Sequence, residues 1–516
     1  MAKVIWKIVL LTATLLMSIA LGALAFDTSL LQRIYLIALG PTIIFPALIS
    51  LGLLLLAVTS LIFVSWLKKS RSAQSAAIAL AVAFSGAAAG LTGQAILSGA
   101  TAAFAPVSFS RESIRASQNL SQIDYQISAE HTSFESYYRQ AFSATVFSIP
   151  YSLNYEQNGH KPTAYLAAAN DEVLVVQGDG SVLMFNRAAL STDVMKIKSI
   201  PSNLDEVLDE PLRKNGSHSI KGAVFHDETL WISANAISQV VDGVNCWNTS
   251  VFTAPYNSQT ERFNFSKFYS PEDCALESNR EFEVLQAGGA MGFVSGTKIG
   301  ESPESVWMIV SQGDYRDRRK AQLGSSDLGS LVAVDTEKSS RPKLLAKGVR
   351  NVQSLVVSDN GLFFVDQGPA GGDEVNFLDF ALVHTGSTVN FGWPKSSYGN
   401  HYRDALRPDA PLNPSHADYG FTEPIFVWKN SIGVSSIAAN PWSPGGLLAG
   451  GMGDDALQGD LSLNFLEPAP QLSGSANLSD LLNLDDRVRD IVSVPKSGLL
   501  VATDSNEILW ITELPN

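Results

Sequence analysis

The pattern of apolar and polar positions changes character along this chain. Three stretches near the start carry no charge: Ile8 to Phe26, Ile34 to Leu67 and Ser72 to Ser110. One helical crossing of a bilayer takes roughly 20 apolar residues. The pattern therefore predicts an anchor of three transmembrane helices within residues 1–105. Pro41 and Pro46 break or kink the first part of the second stretch, so it is long for one span and tight for two. Residues 106–160 are polar with scattered aromatics and read as a connector, partly helical.

From 161 to 516 the period shortens to that of strands. "EVLVVQGDGSVLMFN", "AVFHDETLWISAN" and "SLVVSDNGLFFVDQG" each place two short apolar runs around a turn of Gly, Asp, Asn or Glu. "DIVSVPKSGLLVATDSNEILWITE" holds three runs and two turns. No long segment of helical period follows residue 161. So many hairpins exceed a sandwich and suit an all-β propeller. At roughly 40–50 residues per blade, six to eight blades fit. The last strand, Ile508–Thr512, is expected to close the ring against the first blade.

Charge orients the anchor. Lys3 and Lys7 precede the first span, and Lys68, Lys69 and Arg71 follow the second, whereas the link Asp27–Arg33 has one basic residue. The positive-inside bias puts these basic groups in the cytoplasm and everything after about residue 106 on the periplasmic side of the inner membrane. Ala23-Leu24-Ala25 also resembles a cleavage site, which would make the first span a signal peptide; the later residues end up on the same side. Gly86 and Gly90 allow close helix approach, within the bundle or to another membrane-protein subunit. Cys246 and Cys274 are either a disulfide, as export permits, or two free buried thiols. The formal net charge of −14, with no basic run beyond Lys68–Arg71, argues against nucleic acid as a partner and leaves the lipid bilayer.

One block carries chemistry. Gly348-Val-Arg350-Asn351-Val-Gln353 leads into a hairpin, then Gln367-Gly368-Pro369, Asp373-Glu374-Val-Asn376 and Asn390-Phe-Gly392-Trp393-Pro394. "EPIFVWKNSIGVSSI" and Arg487-Val-Arg489-Asp490 follow. Taken together, these segments resemble the glucose/sorbosone dehydrogenase family, six-bladed propellers that use pyrroloquinoline quinone (PQQ); the resemblance covers roughly residues 210–512 and is weak upstream, at "AVFHDE". It implies that Arg350, Asn351, Gln353, Gln367, Arg487 and Arg489 hold the cofactor. Planar guanidinium groups suit its carboxylates. It also implies that Gly368, Pro369 and Asp373 hold a calcium ion, whose chemistry favours oxygen ligands. Each feature has a plainer use too: an ion-pair ladder between blades for Arg487–Asp490, a solvated turn at Asp373–Glu374, a strand cap at Gln367–Pro369.

The chain departs from the family at the proton acceptor. In "QAGGAMGF", Gln286 stands where the family has the His of His-x-Gly-Gly, and an amide is not a usable base. His218, in "GSHSIKG" where a Gly-Gln-Gly-Gly segment is missing, either substitutes as base or is a surface residue in a turn. The family's cofactor-contacting Lys has no counterpart in "LLAGGMGDDALQGD". His131, His160, His226, His384, His401 and His416 show no metal-ligand spacing. Two functions follow: a membrane-anchored PQQ- and calcium-dependent dehydrogenase of sugar-like small molecules feeding a membrane electron chain, or a degenerate propeller serving as a binding module or complex subunit.

Overall fold

The computed structural model describes residues 124–150, 163–178, 180–208, 219–338, 340–401, 409–453, 461–468 and 476–515. They form six sheets, the blades of a propeller, antiparallel except for one short parallel pair in blade three, Lys343–Lys347 with Val389–Asn390. The inner strands are Ala164–Ala169, Ile220–His226, Gly288–Ser295, Val352–Val357, Val434–Ala439 and Val488–Val494, in blades one to six. Each packs on the next, and the sixth packs on the first, which closes the ring.

Local sequence explains the hairpins. Asp227 and Glu228 both take positive φ, 47° and 52°, and join Ile220–His226 to Thr229–Val241. Positive φ at both central residues is the primed turn whose twist matches paired strands. Between blades lie six apolar clusters. Tyr165, Leu174, Ile232 and Phe252 fill the space between blades one and two, and Trp307, Leu331, Phe364 and Leu378 that between three and four. Burying each such side chain contributes roughly 1.5–3 kcal/mol before entropy is counted. These clusters hold the blades rigidly around the central channel.

Two expectations change. Part of the expected connector is strand: Asp124–Ser128 is the outer strand of blade one, and Glu130–Glu135 and Ala141–Ser148 belong to blade six. The aromatics that looked scattered are packed in alternation. Phe142, Ala144 and Val146 enter the core between blades five and six, and Phe147 enters that between six and one. Ring closure differs accordingly. Glu507–Glu513 pairs with Ala141–Ser148, Ile508 opposite Phe147, so the sixth blade is assembled from both ends of the propeller rather than closed on the first.

Among the described residues, no helix is long and apolar enough to cross a membrane. The three expected spans lie outside the described residues.

Candidate functional site

The heads of the inner strands meet at one end of the channel. Ser311 Oγ donates to Val352 O at 2.9 Å, Ser435 Oγ to Val488 O at 2.6 Å, and Leu166 N to Asp490 Oδ2 at 2.8 Å. Blades three and four, five and six, and six and one are thereby joined head to head. Lys221, Gln286, Arg350, Asn351, Arg487 and Arg489 all sit on or just before these strand heads.

Blade four brings the two ends of its hairpin together. Asp366 accepts from the main-chain N–H groups of Arg350 (2.9 Å) and Asn351 (2.7 Å). Arg350 Nη1 then donates to Gln367 O at 2.6 Å, and Asn351 Nδ2 to Gln367 Oε1 at 2.8 Å. Asp373 clamps the Gly-Pro loop to blade five: it accepts from Gly368 N (2.9 Å), Ile432 N (2.9 Å) and Val434 N (3.1 Å). Burial pushes Asp373 up to about 6 and Asp366 to about 7. Gln353 is buried on the inner strand. Among the described residues, no hydrogen bond ends on the carbonyl of Gly368 or Pro369, and no three His, Cys, Asp or Glu side chains gather as a metal cluster. A cation here would rest on main-chain oxygen. A narrow cleft beneath this loop, lined by Arg350, Asp366, Glu374, Trp393 and His416, leaves about 10 Å³, the room of about one water molecule.

Gln286 is 5% exposed and links three charges. With its nitrogen toward Asp314 Oδ1 (3.1 Å), its oxygen accepts from Arg316 Nε and Arg350 Nη2, each at 2.8 Å. The neighbours set that orientation, since the carboxylate accepts and the guanidinium groups donate. Trp393 Nε1 holds the other oxygen of Asp314 at 2.8 Å. Burial raises Asp314 to about 6, with Arg350 acting against it.

Blade six supplies the second cationic group. Asp504 accepts from Arg487 Nε (2.7 Å), Arg489 Nε (2.7 Å) and Arg489 Nη2 (2.8 Å), while Arg487 Nη1 donates to Met452 O (2.6 Å). Burial alone would raise Asp504; Arg489 beside it overrides that and holds it below the usual carboxylate range. One carboxylate for two guanidinium groups leaves positive charge over. The Lys221 side chain is 4% exposed, and its Nζ lies 3.4 Å from Leu285 O. Burial and Arg489 lower it to about 7, Glu283 resisting.

The structure therefore gathers Gln286, Arg350, Asn351, Gln367, Arg487 and Arg489 at one mouth, with the Gly368–Asp373 loop beside blade four. His218 lies outside the described residues. Sequence reading missed Lys221 and Asp314. A lysine between Ile220 and Gly222 at the head of an inner strand was the available signal for the first. Cys246 and Cys274 are bonded, Cα atoms 5.5 Å apart, on the outer side of blade two.

The sequence model of the Glucose / Sorbosone dehydrogenase family matches residues 269–510. Aldose sugar dehydrogenase YliI of Escherichia coli (strain K12) is 28% identical over 146 residues, 26% of this chain and 37% of that relative, so the match spans little more than a third of its length. The crystal structure of the soluble aldose sugar dehydrogenase from Escherichia coli in the apo-form covers 75% of this chain and 100% of its own, at 17% identity and a TM-score of 0.50. A glucose dehydrogenase structure covers 69% and 97%, at 18% identity and a TM-score of 0.51. At such identities the structural likeness shows the fold, and over residues 269–510 this six-bladed propeller is similar to the glucose/sorbosone dehydrogenase family.

Proposed function

We propose that this chain is a quinoprotein dehydrogenase that holds PQQ and calcium at the channel mouth and oxidises aldoses or related sugars. The observation that carries the reading is the group of fixed guanidinium charges there: Arg350 from blade four, and Arg487 and Arg489 from blade six sharing one carboxylate. That donor set fits a ligand with several carboxylates. Asp504 holds the planes of Arg487 and Arg489, Gln286 and Gln367 hold that of Arg350, and Asn351 adds an amide. The carbonyls of Gly368 and Pro369 offer the oxygen that calcium prefers. When bound, the quinone supplies a two-electron acceptor, a chemistry no side chain provides.

The apolar stretches before residue 106 and the placement of Lys3, Lys7, Lys68 and Lys69 support an inner-membrane anchor with the propeller on the periplasmic side, where electrons could pass to a membrane carrier. The Cys246–Cys274 bond is consistent with an oxidising compartment. A second reading, a propeller that binds without turnover or acts as a subunit of a membrane complex, is favoured by Gln286, which offers no proton acceptor.

The full-length chain, purified in mild detergent, separates the two. Titration with PQQ and calcium should give a stoichiometric bound-cofactor spectrum, and aldoses should then reduce an artificial dye. Uptake without dye reduction favours the binding module; no uptake removes the quinoprotein reading.

A further inference from the structure

We propose that Lys221 is the proton acceptor of this site, in place of the imidazole that Gln286 does not supply. The inference deepens the dehydrogenase reading and rests on it.

Geometry puts the amine at the motif where a base is missing. Lys221 is the second residue of the blade-two inner strand, and its Cβ packs on Gly289, two residues after the Gln286–Ala287 peptide. Gly289 has φ +109°, and any Cβ added there would run into the Lys221 Cβ. From this seat the side chain reaches Leu285 O, one residue before Gln286. It is nearly inaccessible to water, and the charged groups acting on it are Arg489 across the mouth and Glu283 beside it. Tyr165, on the adjoining inner strand, is bonded to Arg489 and stays a phenol, pushed up to about 12. Gln286 and the arginines around it cannot accept a proton. Lys221, lowered to about 7, is a neutral amine for much of the time at neutral pH. A base works best when its pKa lies near the working pH.

The balance is that of an alcohol oxidation. With PQQ bound, the cofactor would supply the two-electron acceptor; Lys221 Nζ would take the proton of the anomeric hydroxyl as the sugar gives up the hydrogen and electron pair of the same carbon and leaves as its lactone, and the lysine would pass the proton on once the lactone has left the mouth.

Two variants of the full-length protein test this, with two readouts. Lys221→Arg sets a permanent cation there that cannot be a base; Lys221→Met removes the amine altogether. Expected are PQQ uptake retained in both variants and dye-linked turnover lowered by about 10²-fold or more, the usual worth of a general base. Without any ligand, wild type should gain in melting temperature relative to Lys221→Met as pH rises from 7 to 10, because the folded amine is then neutral while the unfolded one still holds its proton. Undiminished turnover in Lys221→Arg, or a melting difference flat across that range, overturns Lys221 as base. Loss of PQQ uptake in both variants makes it a cofactor anchor and overturns it too. Absence of uptake by the wild type removes the dehydrogenase reading itself, a result distinct from the others.

Discussion

Asp504 and Arg489 form a buried two-point ion pair at the channel mouth, with bonds of 2.7 and 2.8 Å and exposures of 4% and 8%. Asp504 immediately follows Thr503, which pairs with Val488 across the blade-six ladder, so register sets it opposite Arg487, while Arg489 stands in the bulge between Val488 and Asp490. Asp504→Ala would leave Arg487 and Arg489 without their carboxylate. A loss of about 3–5 kcal/mol is expected, as for other buried pairs broken on one side. Urea unfolding measures it. The group's sign is that of a depressed acid: its stabilisation is present above the unfolded value near 4 and lost as pH falls through the lower folded value.

Four other acids, three of them buried and Asp490 half-buried, act oppositely. Asp314 and Asp373 are raised to about 6, Asp366 and Asp490 to about 7, burial being the main cause in each. The folded chain keeps protons that the unfolded chain has lost, so this stabilisation is complete below about 4 and gone once pH passes 6–7. Lys221, lowered from 10.5 to about 7, adds stability as pH rises from 7 toward 10.5. Melting temperature should fall from pH 5 to 7 and recover above 8. A scan by differential fluorimetry that rises steadily from pH 5 to 7 would contradict the burial of these carboxyls.

Removing Gln286 should loosen the mouth before it affects the fold. Gln286→Leu withdraws an acceptor from Arg316 and Arg350 and a donor from Asp314. The expected cost is about 1–3 kcal/mol, with weaker PQQ uptake as Arg350 loses its orientation. Gln286→His should instead raise dye-linked turnover, because it restores an imidazole beside the same groups.

Gly289→Ala is expected to fail sterically. The residue combines a left-handed φ of +109° with the Lys221 side chain and Ser233 Oγ at its α-carbon. Such strain costs about 1–3 kcal/mol by itself. Expression and melting temperature should both drop, and by more than for Gly243→Ala, where φ is +79° but no atom lies within 4 Å, so only the backbone strain is felt.

The Cys246–Cys274 bond closes a loop of sequence separation 28. Its reduction, or the double replacement by Ser, should lower unfolding free energy by about 3 kcal/mol, measured as a shift in urea midpoint with and without reductant.

How far the chain could be read follows from how local each signal is. The hairpins were legible because an alternating run, an Asp-Glu or Asn-Gly turn and a second run are adjacent in sequence. The meeting of Arg350 with Gln367 was legible for the same reason, since one hairpin carries both. Strands 124–148 were not, because Ala141–Ser148 has its partner at the far end of the chain and shows only its own alternation. Lys221 was hidden by chemistry: a lone lysine in a short motif looks solvated until the fold buries it against Gly289. The use of Asp504 was invisible for lack of any local pattern, as its partners are fixed by ladder register and a bulge.

The pairing of Ala141–Ser148 with Glu507–Glu513 has a consequence for biosynthesis. An early strand must wait, with one edge unpaired, until the final strand emerges from the ribosome. A nascent chain halted before Ile508 would present Phe142 and Phe147 beside that open edge, the kind of surface that chaperones and proteases recognise. A stop codon just before Glu507 should therefore abolish accumulation of the protein rather than yield a trimmed, working form.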